Sequence, residues 1–200
     1  MSLEWGYITK EKVDMEKVYL LFTDTGTLFT RIIKLYTRKN YNHASIAFDS
    51  DFQEVYSFGR KNPNNPFIGG FVKEDLRNKL FLRSRGAIYS FWATDEQVLR
   101  MKEIIKAIET NQQNYKYNLT GLITYTFNKP SYRKNAYFCS QFVAHVLKEG
   151  ANFNFRKPVS LVSPHDLQCL SNLQLEYEGP LFHLVMNKKR LGKLYRYNVG

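Results

Sequence analysis

Two residues draw attention by their chemistry and their position. Cys139 stands within Tyr137-Phe138-Cys139-Ser140-Gln141-Phe142-Val143-Ala144-His145-Val146-Leu147, and His43 within Asn42-His43-Ala44-Ser45-Ile46-Ala47-Phe48-Asp49. In the first stretch Cys139, Phe142, Val143, Val146 and Leu147 recur at i, i+3, i+4, i+7 and i+8, one face of an α-helix. Gly150 supplies the expected stop after Lys148 and Glu149. Cys139 then sits in the first helical turn, facing inward. A helix N-terminus offers unpaired N–H groups and partial positive charge, a setting that lowers a thiol pKa and binds an oxyanion. The same position also suits a small core residue, because free cysteine is among the most buried residue types.

The second stretch alternates as a strand with His43 at its entrance. Asp49-Ser50-Asp51 is turn chemistry, and Glu54-Val55-Tyr56-Ser57-Phe58-Gly59 reads as the returning strand of a hairpin. A histidine alone on a strand is ordinarily structural. A histidine at a strand start, paired with a cysteine at a helix start, is what thiolate–imidazole catalysis requires. Such a site also needs a third polar group to orient the ring. His145 does not qualify as the base: six residues past Cys139 it lies about 120° round the helix from the Cys face. His165, before Asp166 in an expected loop, is a weaker candidate for the base and more often a structural residue. His183 falls in an expected strand and is given no role.

The segments "YNHASIAFD", "EVYSFGR" and "YFCSQFVAHVLKEGA", followed by "SLVSPHDL", resemble the circularly permuted branch of the NlpC/p60 superfamily of papain-like cysteine hydrolases. Lecithin:retinol acyltransferase-like proteins are relatives with the same His-before-Cys order. The resemblance runs from about Val18 to about Leu167. It implies a papain-like α+β fold, with an antiparallel sheet packed against the helix that bears the cysteine. Cys139 would be the nucleophile and His43 the base. Relatives place a polar orienter on the strand after the catalytic His strand, and the alignment puts Ser57 there. Glu54 is the alternative if the hairpin register differs; its parity sets it on the opposite strand face from Ser57. Family members often carry a tyrosine donating to the site, and Tyr137 is the nearest candidate.

Other elements must hold these parts. Lys17 to Thr23 reads as a buried strand, followed by a turn and a helix to about Thr37 with Leu28, Ile32, Leu35 and Tyr36 on one face. Arg60 to Gly70, rich in Asn, Pro and Gly, reads as a loop: a specificity loop beside the site or a plain connection. Gly86 to Trp92 is a strand. Thr94-Asp95-Glu96-Gln97 matches a capping box before a helix to about Thr110, with Val98, Met101, Ile105 and Ile108 inward. A polar break over Asn111 to Asn118 precedes a short helix over Leu119 to Phe127. Short strands are expected at Leu175 to Tyr177, Leu181 to Met186 and Leu194 to Tyr197.

A chain of 200 residues, 44% hydrophobic and 16% aromatic, suits one packed domain over residues 1–200. The net charge of +11 favours an anionic surface or polymer as partner, or serves general solubility. No nucleic-acid motif accompanies it. No apolar run of about 18 residues exists to span a membrane. Met1 to Gly6 shows no basic segment leading into an apolar one, so a cytoplasmic location is expected. There Cys139 and Cys169 would be reduced thiols, Cys169 in the core. Four scattered histidines without a Cys-x-x-Cys give no metal site, and no cofactor is expected. Three functional classes follow: an amidase or peptidase acting on a peptide or peptidoglycan-like amide; an acyltransferase or thioesterase acting on a lipid or acyl ester; and a non-catalytic papain-like binding module.

Overall fold

The computed structural model describes residues 14–24, 39–62, 65–127, 129–130 and 133–186. The helix expected to end near Thr37 and the strand at Leu194 to Tyr197 lie outside the described residues. The chain is α+β. Its main sheet has six strands in the order β4-β3-β2-β1-β5-β8. These are β1 (Met15–Asp24), β2 (His43–Ala47), β3 (Val55–Asn62), β4 (Asn65–Lys73), β5 (Arg85–Thr94) and β8 (Gln174–Pro180). Every pairing between them is antiparallel.

The inner strands bury both faces, so β1 reads as a continuous apolar run rather than a strict alternation. Val18, Leu20 and Phe22 point to a core shared with the helices, alongside Ile46, Phe58 and Phe71. Leu21 joins a smaller core on the other face with Ala47, Val55, Ile88 and Leu181. Helix α1 (Lys79–Leu82) contributes Phe81 to that second core.

On the first face, α2 (Asp95–Thr110) begins with the expected capping box: Gln97 N–H donates to Thr94 Oγ1, and Thr94 N–H to Gln97 Oε1. Val98, Met101, Ile105 and Ile108 are buried as the periodicity requires. Helix α3 (Leu119–Thr126) follows a short polar connection. Two-residue strands β6 (Lys116–Tyr117) and β7 (Ala136–Tyr137) pair in parallel and deliver the chain to α4 (Cys139–Ala151). Helix α4 packs on α2 and across β2 and β3. A short α5 (Pro164–Gln168) lies against it.

Gly150 does not stop α4. The helix runs on to Ala151 and ends on Asn152, which takes the left-handed conformation at φ +59°. Gly150 instead allows a close helix crossing: a Cβ there would lie 2.4 Å from Met101 Cγ and 2.9 Å from Met101 Cα.

Three further expectations give way. Arg60 to Gly70 is not one loop, since β3 extends through Asn62 and β4 contains Gly69 and Gly70. The cross-strand ladder outweighs the local turn preference of the Asn and Gly residues. Residues 181–186 are helical, not a strand. Cys169 is exposed rather than in the core, because α5 is only five residues long and the thiol lies just beyond its end.

Candidate functional site

The entrance of β2 and the N-terminus of α4 meet. Cys139 is buried, with its Sγ 4.0 Å from the Asn42 carbonyl oxygen. The Cys139 sulfur is also one of the groups that raise the imidazole of the next residue, His43. Asn42 is fixed in turn: its N–H donates to the Thr23 carbonyl, and its Nδ2 donates to Asp24 Oδ1 at 3.0 Å. The sheet therefore sets one side of the sulfur's surroundings and the helix the other.

On the helix side the N-cap is Phe138, which has no side-chain group to satisfy the first-turn amides. The first helical bond is Phe142 N–H to the Phe138 carbonyl. The first-turn amides therefore have no partner within the helix, the setting in which such groups can face a negative charge. The helix start is anchored by polar contacts. Ser140 Oγ donates to the Val162 carbonyl at 2.8 Å, and the buried Asn118 Nδ2 donates to Gln141 Oε1 at 3.3 Å.

The ring of His43 has a carboxylate partner. Nε2 lies 2.7 Å from Glu74 Oε1, and both side chains are nearly buried, 13% and 7% exposed. The other oxygen of Glu74 accepts from Ser45 Oγ. His43 and Ser45, two apart on one strand, share a face, so a single carboxylate reaches both. Glu74 directly follows β4, and its own N–H donates to the Val55 carbonyl at 2.8 Å, which continues the β3–β4 ladder.

Burial alone would push the His43 imidazole down. The Glu74 carboxylate and the Cys139 sulfur outweigh it and raise the ring to about 10. The raised value keeps the ring protonated at neutral pH, between the Glu74 carboxylate and the Cys139 sulfur.

The remaining sequence candidates fall elsewhere. Ser57 is fully buried, but its hydroxyl donates to the Ala44 carbonyl at 2.7 Å and fastens β3 to β2. The ring's partner is Glu74, not Ser57. Glu54 pairs with Lys102 at 3.2 Å on the surface. Tyr137 precedes the cysteine, yet its contacts are with other rings. It stacks on His145 with centroids 5.3 Å apart and on Tyr115 at 6.2 Å, and meets Phe58 edge-on. Burial raises its hydroxyl and lowers the imidazole of His145, in keeping with a structural aromatic layer.

Among the described residues no group of three or more His, Cys, Asp or Glu side chains is placed to hold a metal ion. Nor is any helix among them long and apolar enough to cross a membrane. Comparison with protein-family models, curated proteins and solved structures gives no match to this chain.

Proposed function

We propose that the chain is a papain-like cysteine hydrolase that cleaves a peptide or peptidoglycan-like amide through an acyl-enzyme. One observation carries the reading: the buried imidazole of His43 is held by Glu74 through Nε2, and the residue before it, Asn42, lies against the Cys139 sulfur at a helix N-terminus. These are the parts of a nucleophile, a base and an orienter brought to one place. The antiparallel sheet under a cysteine-bearing helix supports the papain-like assignment. The carboxylate orienter speaks against a binding module that keeps the pair without the means to use it.

In this reading the proton rests on His43 and the sulfur attacks as thiolate. The S–C bond forms at the substrate carbonyl carbon, and the carbonyl oxygen takes the electron pair. The Cys139 N–H at the helix start stabilises that oxyanion. As the C–N bond breaks, His43 Nδ1–H protonates the departing amine, leaving a thioester on Cys139. Water then attacks the thioester, His43 takes its proton, and the acid leaves with the thiol restored as the ion pair. Glu74 keeps its proton acceptor role throughout and holds the ring's orientation. It favours the imidazolium more strongly than a hydroxyl would, because charge-assisted hydrogen bonds are roughly twice as strong as neutral ones.

The test is covalent trapping. The protein is mixed with matched panels of activated amides and acyl esters, and the acyl adduct is located by peptide mass spectrometry. An adduct on Cys139 that is absent in Cys139→Ser and slowed by orders of magnitude in His43→Ala supports a hydrolase. Preference within the panels separates amide from ester or thioester chemistry. No adduct on Cys139 from any member removes the reading.

A further inference from the structure

Glu74 reaches its partners from outside their strand. It follows β4, and its N–H bonds to the Val55 carbonyl of β3, yet His43 and Ser45 belong to β2, the next strand over. The side chain therefore crosses β3. A glutamate has three free torsions, and ordering them costs entropy that the contacts at its end must offset. Among the described residues two side chains hydrogen-bond the carboxylate, His43 at Oε1 and Ser45 at Oε2. On the β3 side the pair is bordered by residues without polar side chains. A Cβ built on Gly59 would lie 3.5 Å from Val72 Cγ2, 3.6 Å from His43 Cε1 and 3.9 Å from Glu74 Oε1.

Ser45 is placed to fix that carboxylate. It is 1% exposed, and its strand is laddered to β1, with Ser45 opposite Leu21 and His43 opposite Thr23. Hydroxyl and imidazole thus start from one rigid strand, two residues or roughly 7 Å apart along it. The carboxylate spans the two, one oxygen on each. Little water reaches a carboxylate so buried, and a buried charge left partly unsatisfied is costly. Without the Ser45 hydroxyl, Oε2 loses its donor and the carboxylate is free to turn away from Nε2.

We propose that Ser45 is a positioning residue of the site: its hydroxyl holds the second oxygen of Glu74 and so keeps the first on His43 Nε2. Ser45 acts through Glu74, and Glu74 through the ring. Burial pulls the ring's proton affinity down, while the Glu74 carboxylate from the end of β4 and the Cys139 sulfur from α4 raise it. A loosened Glu74 lets burial gain ground. The effect on the ring is independent of the hydrolase reading; the effect on turnover rests on it.

The test reads the ring directly. Long-range proton–nitrogen NMR follows the four histidines from pH 6 to pH 11, with His43 assigned by its absence in His43→Gln. The wild-type ring should lose its proton near about pH 10. In Ser45→Ala the midpoint should fall by about one pH unit, a tenfold weaker hold on the proton. Ser45→Cys, matched in size but a weak donor, should fall by a similar amount, and carries the comparison if Ser45→Ala does not fold. In a Glu74→Gln background Ser45→Ala should add nothing, since the carboxylate it acts through is gone. Acylation by an activated amide should slow about tenfold in Ser45→Ala. An unchanged or raised midpoint in Ser45→Ala overturns the proposal. A wild-type midpoint in Ser45→Cys does so too, by reducing the role to filling space. An equal fall in the Glu74→Gln background does the same, by detaching Ser45 from the carboxylate. A wild-type acylation rate beside a lowered midpoint overturns the effect on turnover. If wild-type Cys139 forms no acyl adduct at all, the hydrolase reading falls, while the titration still decides the hold of Ser45 on the ring.

Discussion

Glu74 Oε1 lies 2.7 Å from Nε2 of His43, across 31 residues of sequence. The contact turns a strand histidine into a fixed, charged group. It also commits Nε2 of the ring to the carboxylate.

Replacing Glu74 with Gln should therefore be the most informative change outside Cys139 and His43. A hydrogen bond to a charged group contributes about 1.5–3 kcal/mol. At about 1.36 kcal/mol per decade, acylation by an activated amide should slow by roughly ten- to a hundredfold. A Glu74→Gln protein that acylates at the wild-type rate would remove Glu74 from the orienting role.

Ser57→Ala should act on stability rather than on rate. Its hydroxyl bonds to the Ala44 carbonyl, a neutral bond that contributes about 0.5–1.5 kcal/mol net. Urea unfolding should show a loss of that size, with acylation changed by less than about threefold. A large kinetic loss without destabilisation would return Ser57 to the site.

The His43–Glu74 pair should leave a signature in the pH dependence of stability. The ring sits at about 10 in the fold, above the roughly 6.5 of an unfolded histidine. A raised value means that the folded state holds the proton more tightly, so the contribution is complete below about pH 6.5. It is then lost as the pH rises through about 10. The stability difference between wild type and His43→Gln, measured by urea denaturation, should therefore shrink from pH 6.5 towards pH 10. A difference that grows over that range would contradict the raised value.

Phe142→Ala tests the platform beneath the site. The ring is fully buried and packs on Phe58, Phe71 and Tyr137. Its loss should cost about 3–5 kcal/mol, read as a lowered denaturant midpoint. A change below about 1 kcal/mol would mean that α4 is not held by this face.

The parts legible in the sequence were those with a period. The apolar stripe from Cys139 to Leu147 and the alternation from His43 onward each carry their own geometry, and the Thr94–Gln97 box marks a helix start within four residues. Glu74 carried no such mark. It belongs to the chain's return from a segment that composition assigns to a loop, and only the β3–β4 ladder brings it back to His43. Ser45, two residues past His43 and on the same face, was the available hint that a polar partner was needed there. Cys169 was misplaced for a related reason: Leu167 is buried two residues earlier, but α5 ends before the pattern can continue.

Gly150 gives the helix a pivot. Its backbone lies against Met101, and it stands eleven residues beyond Cys139, about 16 Å along the helix axis. A methyl group added at Gly150 would press on Met101 and push that end of α4 away from α2. A helix is stiff over that length, so the seating of Cys139 against β2 is tied to a close approach at the opposite end of the same helix, through a residue with no side chain of its own.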